Sequence, residues 1–227
     1  MSMHNLEPAA QEIADATSKP PFLYELGPDG ARKVLDDIQA APIAKPDIDE
    51  TWIAVPAEVG DVPVRIVKPL GATGPLPVVL YVHGGGWVLG NAGTHDRLVR
   101  ELAVGTNAAL VFVEYDRSPE AHYPVAFEQT YATARWIVRE GGTQGLDGTR
   151  LAVAGDSVGG NMTAALTLLA KERGDVSFVH QSLRTTSVRF NGIIHDFLML
   201  NPVRGTAATT AALEQAIHVL RKALGTS

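Results

Sequence analysis

Short apolar runs alternate with longer amphipathic runs over most of the chain. Three runs are apolar or, in one case, apolar except for Glu114, which predicts strands buried on both faces of a sheet: Pro77–Val82, Ala109–Tyr115 and Leu151–Ala154. Trp52–Val55 and Val62–Lys68 alternate between apolar and polar positions, which predicts antiparallel edge strands. Helical spacing of apolar residues covers Asn161–Lys171 and about Ala207–Leu224. Alternating buried strands and helices are typical of an α/β protein.

The first 50 or so residues form a separate layer of organisation. Helical spacing covers Leu6–Ala16 and Gly30–Ala40, and an extended apolar linker, Ser18–Leu23, lies between them. Two interpretations stay open: these helices cover the mouth of a site and contact substrate, or they only pack on the sheet. We predict that residues 1–50 are N-terminal cap helices and that residues 51–227 are the core.

The most informative motif is Gly-Asp-Ser-Val-Gly at residues 155–159, between a predicted strand and a predicted helix. This pattern is typical of a nucleophile elbow, a strained turn that lifts the Ser157 hydroxyl above the sheet. The following helix N-terminus favours negative charge that develops there. Taken alone, the motif is equally compatible with a tight strand-to-helix turn.

A second motif supports the catalytic interpretation. His-Gly-Gly-Gly-Trp at residues 83–87 directly follows a buried strand, and its glycines leave backbone N–H groups uncovered by side chains. Such donors can stabilise a substrate oxyanion. The alternative is a flexible turn between strand and loop. His83 itself is expected to be structural and to hold the glycine loop.

His195 has the setting of a catalytic base. It follows a short apolar run and the turn signal Asn191-Gly192, in a loop before the last predicted helix. Five other histidines have no comparable setting and are interpreted as surface or core residues: His4, His95, His122, His180 and His218. Their scattered spacing predicts no metal site.

The order and spacing of these motifs resemble the bacterial hormone-sensitive-lipase-like branch of the α/β-hydrolase esterases. Further matching segments are residues 115–120 with Tyr123-Pro124, Gly160-Asn161, and Gly-Ile-Ile-His-Asp-Phe at residues 192–197. The likeness covers nearly the whole chain, including the N-terminal segment that forms part of a cap in that family.

This resemblance implies an α/β-hydrolase fold, with a mostly parallel sheet flanked by helices. It also implies that Ser157 is the nucleophile and His195 the general base. Amides for the oxyanion hole would come from Gly84, Gly85, Gly86 and Val158. The sequence does not tell which two of the three glycines donate. The implied reaction is hydrolysis of short-chain carboxylic esters, which needs no cofactor. Trp87 and the apolar cap helices suggest small, rather apolar acyl groups.

The catalytic acid of that family has no counterpart here. Only Glu172 and Asp175 are acidic between Ser157 and His195, and both lie at the far end of the helix after the elbow. Fourteen or so helical residues place them about 20 Å from the elbow. Asp196, next to His195, is a weak substitute, and Asp156 is expected to anchor the elbow. The identity of the triad acid is therefore left open.

The missing acid coincides with an abrupt junction. Val176–Leu183 and Arg184–Phe190 read as two strands, although neither a turn nor a crossover separates them. We expect that one internal strand, its helix and part of the cap are absent between Leu183 and Arg184. The causes left open are an internal deletion, natural or engineered, a segment omitted from the written sequence, and a degenerate relative. The first two are favoured.

Loss of the acid alone lowers turnover about 10⁴-fold in serine proteases, so residual activity is compatible with this sequence. The alternative function is an impaired or inactive form that binds a small ligand or oligomerises. An internal deletion would expose sheet edges, which favours pairing between chains and hence a homo-oligomer.

Composition adds few constraints. The 227 residues are 45% apolar, enough for one substantial core, and there is no cysteine for disulfides or thiolate metal sites. A formal charge of −6 without a basic cluster argues against nucleic acid or an anionic membrane as a partner. The sequence shows neither a signal-peptide pattern nor a long apolar span, so a cytoplasmic protein acting on a small ester is expected.

Overall fold

The computed structural model describes residues 6–179 and 188–226. Five strands in these residues form one mixed sheet: β1 Ile48–Val55, β2 Val62–Pro69, β3 Leu76–Val82, β4 Ala109–Val113 and β5 Leu146–Gly155. Their spatial order is β1-β2-β4-β3-β5. The β1–β2 and β2–β4 pairs are antiparallel, whereas β3 pairs in parallel with both β4 and β5.

Six α-helices surround the sheet: α1 Pro8–Thr17, α2 Gly27–Gln39, α3 Asp96–Thr106, α4 Val125–Glu140, α5 Val158–Arg173 and α6 Ala207–Leu224. Short 3-10 turns occupy Leu23–Glu25, Gly141–Gln144 and Asn201–Val203. One face of the sheet packs against apolar residues of α4 and α5, and the other against those of α3 and α6. Every residue of β3 is buried, as its uninterrupted apolar sequence predicts. The predicted sheet flanked by helices is therefore confirmed. Within the described residues the sheet is mixed and not mostly parallel, since two of its four strand pairs are antiparallel, and β2 lies between β1 and β4 and not at the edge.

The segments beside the proposed junction differ from expectation. Residues 176–179 and 188–190 contain no strand, so the two strands predicted there are wrong over their described parts. Phe178 is buried in the core, and the Val179 amide donates to the Leu151 carbonyl of β5 at 2.8 Å. A single bond of this kind does not build a ladder. The Leu183–Arg184 junction itself lies outside the described residues.

The N-terminal helices contact the core through few, specific side chains. Ala31 and Gln39 are the residues of α2 that are buried, and the 3-10 turn at Asn201–Val203 packs against both α1 and α2. No helix within the described residues is both long and apolar enough to cross a membrane.

Candidate active site

The strand-to-helix turn at Ser157 has the geometry of a strained elbow. β5 ends at Gly155, α5 begins at Val158, and Ser157 between them has φ 50° and ψ −120°. Few residues other than glycine adopt this backbone conformation. A Cβ at Gly155 would lie 2.5 Å from the Val82 carbonyl oxygen, and one at Gly159 would overlap the same atom. Small residues are therefore required on both sides of Ser157 because the elbow lies directly on the end of β3.

The Ser157 hydroxyl meets His195, as the sequence motifs predict. Ser157 Oγ and His195 Nε2 are 3.0 Å apart, although 38 residues separate them in sequence. Both side chains are exposed, and that of His195 retains 78% of its accessible surface. A neutral imidazole whose Nε2 is free of a proton can accept one from this hydroxyl.

Asp196 also contacts the imidazole, but on the same nitrogen as the serine. Its Oδ1 lies 3.3 Å from His195 Nε2, and its backbone has φ 58°. Burial raises the pKa of Asp196, and the negative charge of Asp156 raises it further. Within residues 6–179 and 188–226, no side chain or carbonyl accepts a hydrogen bond from Nδ1 of His195. The position that a triad acid occupies is therefore not filled by Asp196.

The two acidic residues at the end of α5 are Glu172, in its last turn, and Asp175, two residues after it. Asp175 accepts a hydrogen bond from the Tyr131 hydroxyl and pairs with Arg135 at 3.1 Å, which ties it to α4. Neither Glu172 nor Asp175 contacts the His195 ring among the described residues.

Asp156 anchors the elbow to the glycine loop. Its carboxylate accepts hydrogen bonds from the Tyr81 hydroxyl at 2.8 Å and the Gly84 amide at 3.0 Å, and His95 Nε2 lies 3.4 Å away. Burial would raise the pKa of Asp156, but hydrogen bonds from His95 and Tyr81 outweigh it and lower that pKa. Sequence reasoning assigned His95 only a general surface or core role, since nothing in its local pattern signals this contact.

The glycine loop presents its amides unequally. Gly84 N–H is bonded to Asp156, whereas the amides of Gly85, Gly86 and Val158 have no acceptor in the described part of the chain. Gly85 and Gly86 have φ values of 106° and 66°, which favour glycine. A Cβ at Gly84 would overlap the Asp156 carboxylate, so this glycine is required for the contact between loop and elbow.

His83 is a packing residue at the base of the loop. Its ring stacks on Tyr115 at 4.1 Å and on Phe112 at 5.3 Å between ring centroids, and Nδ1–H donates to the Gly84 carbonyl at 2.8 Å. Burial and the nearby His95 ring lower the pKa of His83 to about 3. His83 is therefore neutral at neutral pH. His4 and His180 lie outside the described residues.

The segment after β4 braces the glycine loop from outside. Ser118 N–H donates to the Trp87 carbonyl at 2.8 Å, and Arg117 donates to the Gly90 carbonyl at 2.6 Å. Arg32 of α2 donates to the Val88 carbonyl at 2.9 Å and forms a two-bond ion pair with Glu120. The N-terminal helix thus contacts one side of the site directly.

A mostly apolar cleft opens beside the loop and the first turn of α5. It encloses about 470 Å³, and its walls include Trp87, Tyr123, Phe127 and Met162. The indole N–H of Trp87 points at the Met162 sulfur, 3.1 Å away. Gly86 and Asn161, near the elbow, also line it, so the cleft reaches the neighbourhood of Ser157. In the part of the chain that the structure describes, no three His, Asp or Glu side chains are grouped for a metal ion.

Known proteins share both the sequence and the architecture. Carboxylesterase NlhH of Mycobacterium tuberculosis is 36% identical over 181 residues, which cover 79% of this chain and 56% of that protein. Esterase LipI of the same species is 36% identical over 184 residues, covering 78% of this chain and 56% of that protein. The chain thus spans little more than half the length of these two relatives.

A solved structure extends the similarity to the fold. The crystal structure of a thermostable esterase from Pseudomonas putida superposes with a TM-score of 0.91 at 29% identity, covering 99% of both chains. A family model described as alpha/beta hydrolase fold matches residues 79–222. Because this match takes in more than half of the chain, including both Ser157 and His195, the chain belongs to the α/β-hydrolase family.

Proposed function

We propose that this chain hydrolyses carboxylic esters through an acyl-enzyme on Ser157, with His195 as the general base. The observation that carries the proposal is the 3.0 Å contact between Ser157 Oγ and His195 Nε2 in a strained elbow. The esterase names of the relatives support the same reaction class.

The reaction balances with these residues. His195 Nε2 takes the Ser157 proton as Oγ attacks the ester carbonyl, and the imidazolium then returns a proton to the departing alkoxide. Water repeats the sequence in the second half: His195 accepts its proton, hydroxide attacks the acyl-enzyme, and Ser157 Oγ leaves with a proton from His195. Products are the carboxylic acid and the alcohol, and no redox partner is consumed.

The oxyanion hole is proposed at Gly85, Gly86 and Val158. Their amides are free of acceptors among the described residues, whereas Gly84 N–H is bonded to Asp156. We therefore remove Gly84 from the four amides expected from the sequence. The α5 N-terminus adds a partial positive charge at the same place.

The triad acid is unassigned, and we propose that the chain is an internally shortened member of the hormone-sensitive-lipase-like branch. The span of little more than half of its relatives' length and the bare Nδ1 of His195 in the described residues support this proposal. Turnover is then expected to be about 10⁴-fold below that of a complete triad. Short, apolar acyl groups fit the cleft of about 470 Å³ beside Trp87.

The test is covalent labelling by a fluorophosphonate together with hydrolysis of p-nitrophenyl esters of increasing chain length. We expect a single adduct that Ser157→Ala abolishes, slow turnover of short esters, and an intact mass near 24.1 kDa. Labelling that persists in Ser157→Ala contradicts the assignment of the nucleophile. A heavier protein would mean that an omitted segment supplies the acid.

The alternative, a ligand-binding or oligomerising form without catalysis, is not favoured by the esterase relatives. It predicts no adduct dependent on Ser157. The homo-oligomer and the cytoplasmic location stay predictions, which light scattering and cell fractionation check.

A further inference from the structure

The segment that carries His195 has little regular structure of its own. It is a turn in which the Met199 and Leu200 amides donate to the Asp196 carbonyl at 3.0 and 3.3 Å. No strand of the described sheet includes it, and Nδ1 of His195 has no acceptor in the described residues. In a complete triad the acid orients the imidazole through Nδ1. In the described residues the polar contacts of the ring are at Nε2, with Ser157 and Asp196. The position of the ring therefore also depends on what fixes the turn that carries it.

Gln39, the last residue of α2, binds the end of this turn. It is 7% exposed, and its amide nitrogen donates to the carbonyls of Met199 at 2.9 Å and Thr94 at 2.6 Å. Its side-chain oxygen accepts from the Asn201 amide at 2.8 Å. The Asn201 side chain returns a bond to the Gln39 carbonyl at 3.0 Å. Both donors of this buried amide and its oxygen are thus bonded, to the base-bearing segment and to Thr94, which lies just before α3.

Arg97 of α3 binds the same turn from the other side. It is 1% exposed, and one guanidinium nitrogen donates to the carbonyls of Leu198 at 2.7 Å and Met199 at 3.0 Å. Its Nε donates to the Asn201 side-chain oxygen at 2.9 Å, and Glu101 balances its charge at 2.6 Å. A buried charge with a partner at each of its three nitrogens holds those partners in one geometry, because most other arrangements leave it unsatisfied.

We propose that Gln39 and Arg97 are positioning residues for His195, which take over the orientation that a triad acid normally provides. The inference rests on the proposed function, since it concerns the base of that reaction. It also assigns a role to the N-terminal segment: α2 reaches the base side of the site through Gln39. We call Gln39 and Arg97 together the clamp. Displacing a catalytic group by about 1 Å lowers rates by up to 10²-fold, so loss of the clamp should lower the rate of the reaction at Ser157.

The experiment measures the second-order rate of Ser157 phosphonylation by a fluorophosphonate for Gln39→Leu, alone and combined with His195→Ala. Gln39→Leu keeps the side-chain volume and removes the hydrogen bonds. Asn201→Asp is the milder second variant: it retains the acceptor for Arg97 and loses the side-chain donor to the Gln39 backbone carbonyl. Lys33→Ala is the control on the same helix, because Lys33 and Asp37 form an exposed ion pair that shares no hydrogen bond with Gln39, Arg97 or the base-bearing turn in the described residues. Thermal unfolding midpoints are measured for every variant, and rates are taken well below them.

The expected result is a loss of about tenfold for Gln39→Leu when His195 is present and less than about twofold when His195 is already alanine. Lys33→Ala should label at the parental rate. Equal losses of labelling rate with and without His195 would mean that Gln39 supports only the fold. No loss in either background would mean that the turn needs no clamp. Either result overturns the role of Gln39 and leaves the proposed function intact. If His195→Ala labels as fast as the parent, or labelling survives in Ser157→Ala, the proposed function fails and this inference fails with it. If Gln39→Leu does not fold, Asn201→Asp decides between the same outcomes.

Discussion

At the scale of single residues, the site stores strain at Ser157. A φ of 50° with ψ of −120° costs a residue with a Cβ about 1–3 kcal/mol. Close contact between the elbow and the end of β3 maintains it, because Gly155 and Gly159 both lie against the Val82 carbonyl. The strain therefore serves to expose the hydroxyl toward His195.

This strain can be measured by a pair of variants. Ser157→Gly removes both the nucleophile and the Cβ, whereas Ser157→Ala removes the nucleophile and keeps the strained Cβ. We expect Ser157→Gly to be more stable to urea than Ser157→Ala by about 1 kcal/mol. This is the strain that glycine relieves, reduced by the greater conformational entropy of glycine in the unfolded chain. Both variants should fail to react with a fluorophosphonate. Equal stability, or a more stable alanine variant, would mean that the elbow is not strained.

The chemistry-bearing residues were predictable from sequence to very different degrees. Ser157 and His195 lie in local motifs, so the sequence predicts their pairing without the structure. Gln39 and Arg97 bind backbone carbonyls more than 100 residues away, and no local pattern records such partners. Tyr81 and His95 were missed for the same reason, since their common partner Asp156 is distant in sequence.

At the scale of elements, uninterrupted apolar sequence predicts the buried strands, whereas two of the helices cannot be predicted from their sequence pattern. α3 and α4 were not predicted. Arg97 and Thr106 in α3, and Gln129, Thr130 and Thr133 in α4, are polar residues on the buried faces of these helices. They interrupt the apolar stripe on which helix prediction depends. Their burial becomes understandable only when distant partners are known, as with Arg97 and Asn201.

The packing of α5 on the sheet depends on one glycine and not on its neighbour. An added methyl at Gly159 would overlap the Val82 carbonyl, whereas one at Gly160 would lie 3.4 Å from the Gly155 carbonyl, an ordinary contact. We expect Gly159→Ala to lose about 3 kcal/mol of unfolding free energy or more, with loss of labelling at Ser157. Gly160→Ala should retain labelling and gain up to about 1 kcal/mol from helix propensity. Denaturant unfolding of the two variants checks this, and similar losses in both would contradict the geometry of the elbow.

At the scale of the whole molecule, the glycine loop, the elbow and the sheet share one buried polar centre. Asp156 joins Tyr81 of β3, Gly84 of the loop and His95, which precedes α3. His83 stacks beside this centre between Phe112 and Tyr115. Global stability is therefore linked to the protonation of groups that do not take part in the proposed reaction.

His83 makes this linkage measurable. Burial and the neighbouring His95 lower the pKa of His83 to about 3, while an unfolded histidine titrates near pH ~6.5. Below that ordinary value the unfolded chain binds a proton at this residue and the folded chain does not, so stability falls as the pH falls. We expect His83 to contribute a loss of about 1 kcal/mol of unfolding free energy between pH 6 and pH 5. His83→Gln should be less stable at pH 7 but should lack this part of the slope, whereas His218→Gln, at an exposed position of α6, should keep it. Urea unfolding at each pH measures the three slopes, and an unchanged slope in His83→Gln would mean that His83 is protonated as readily in the folded protein as in the unfolded chain.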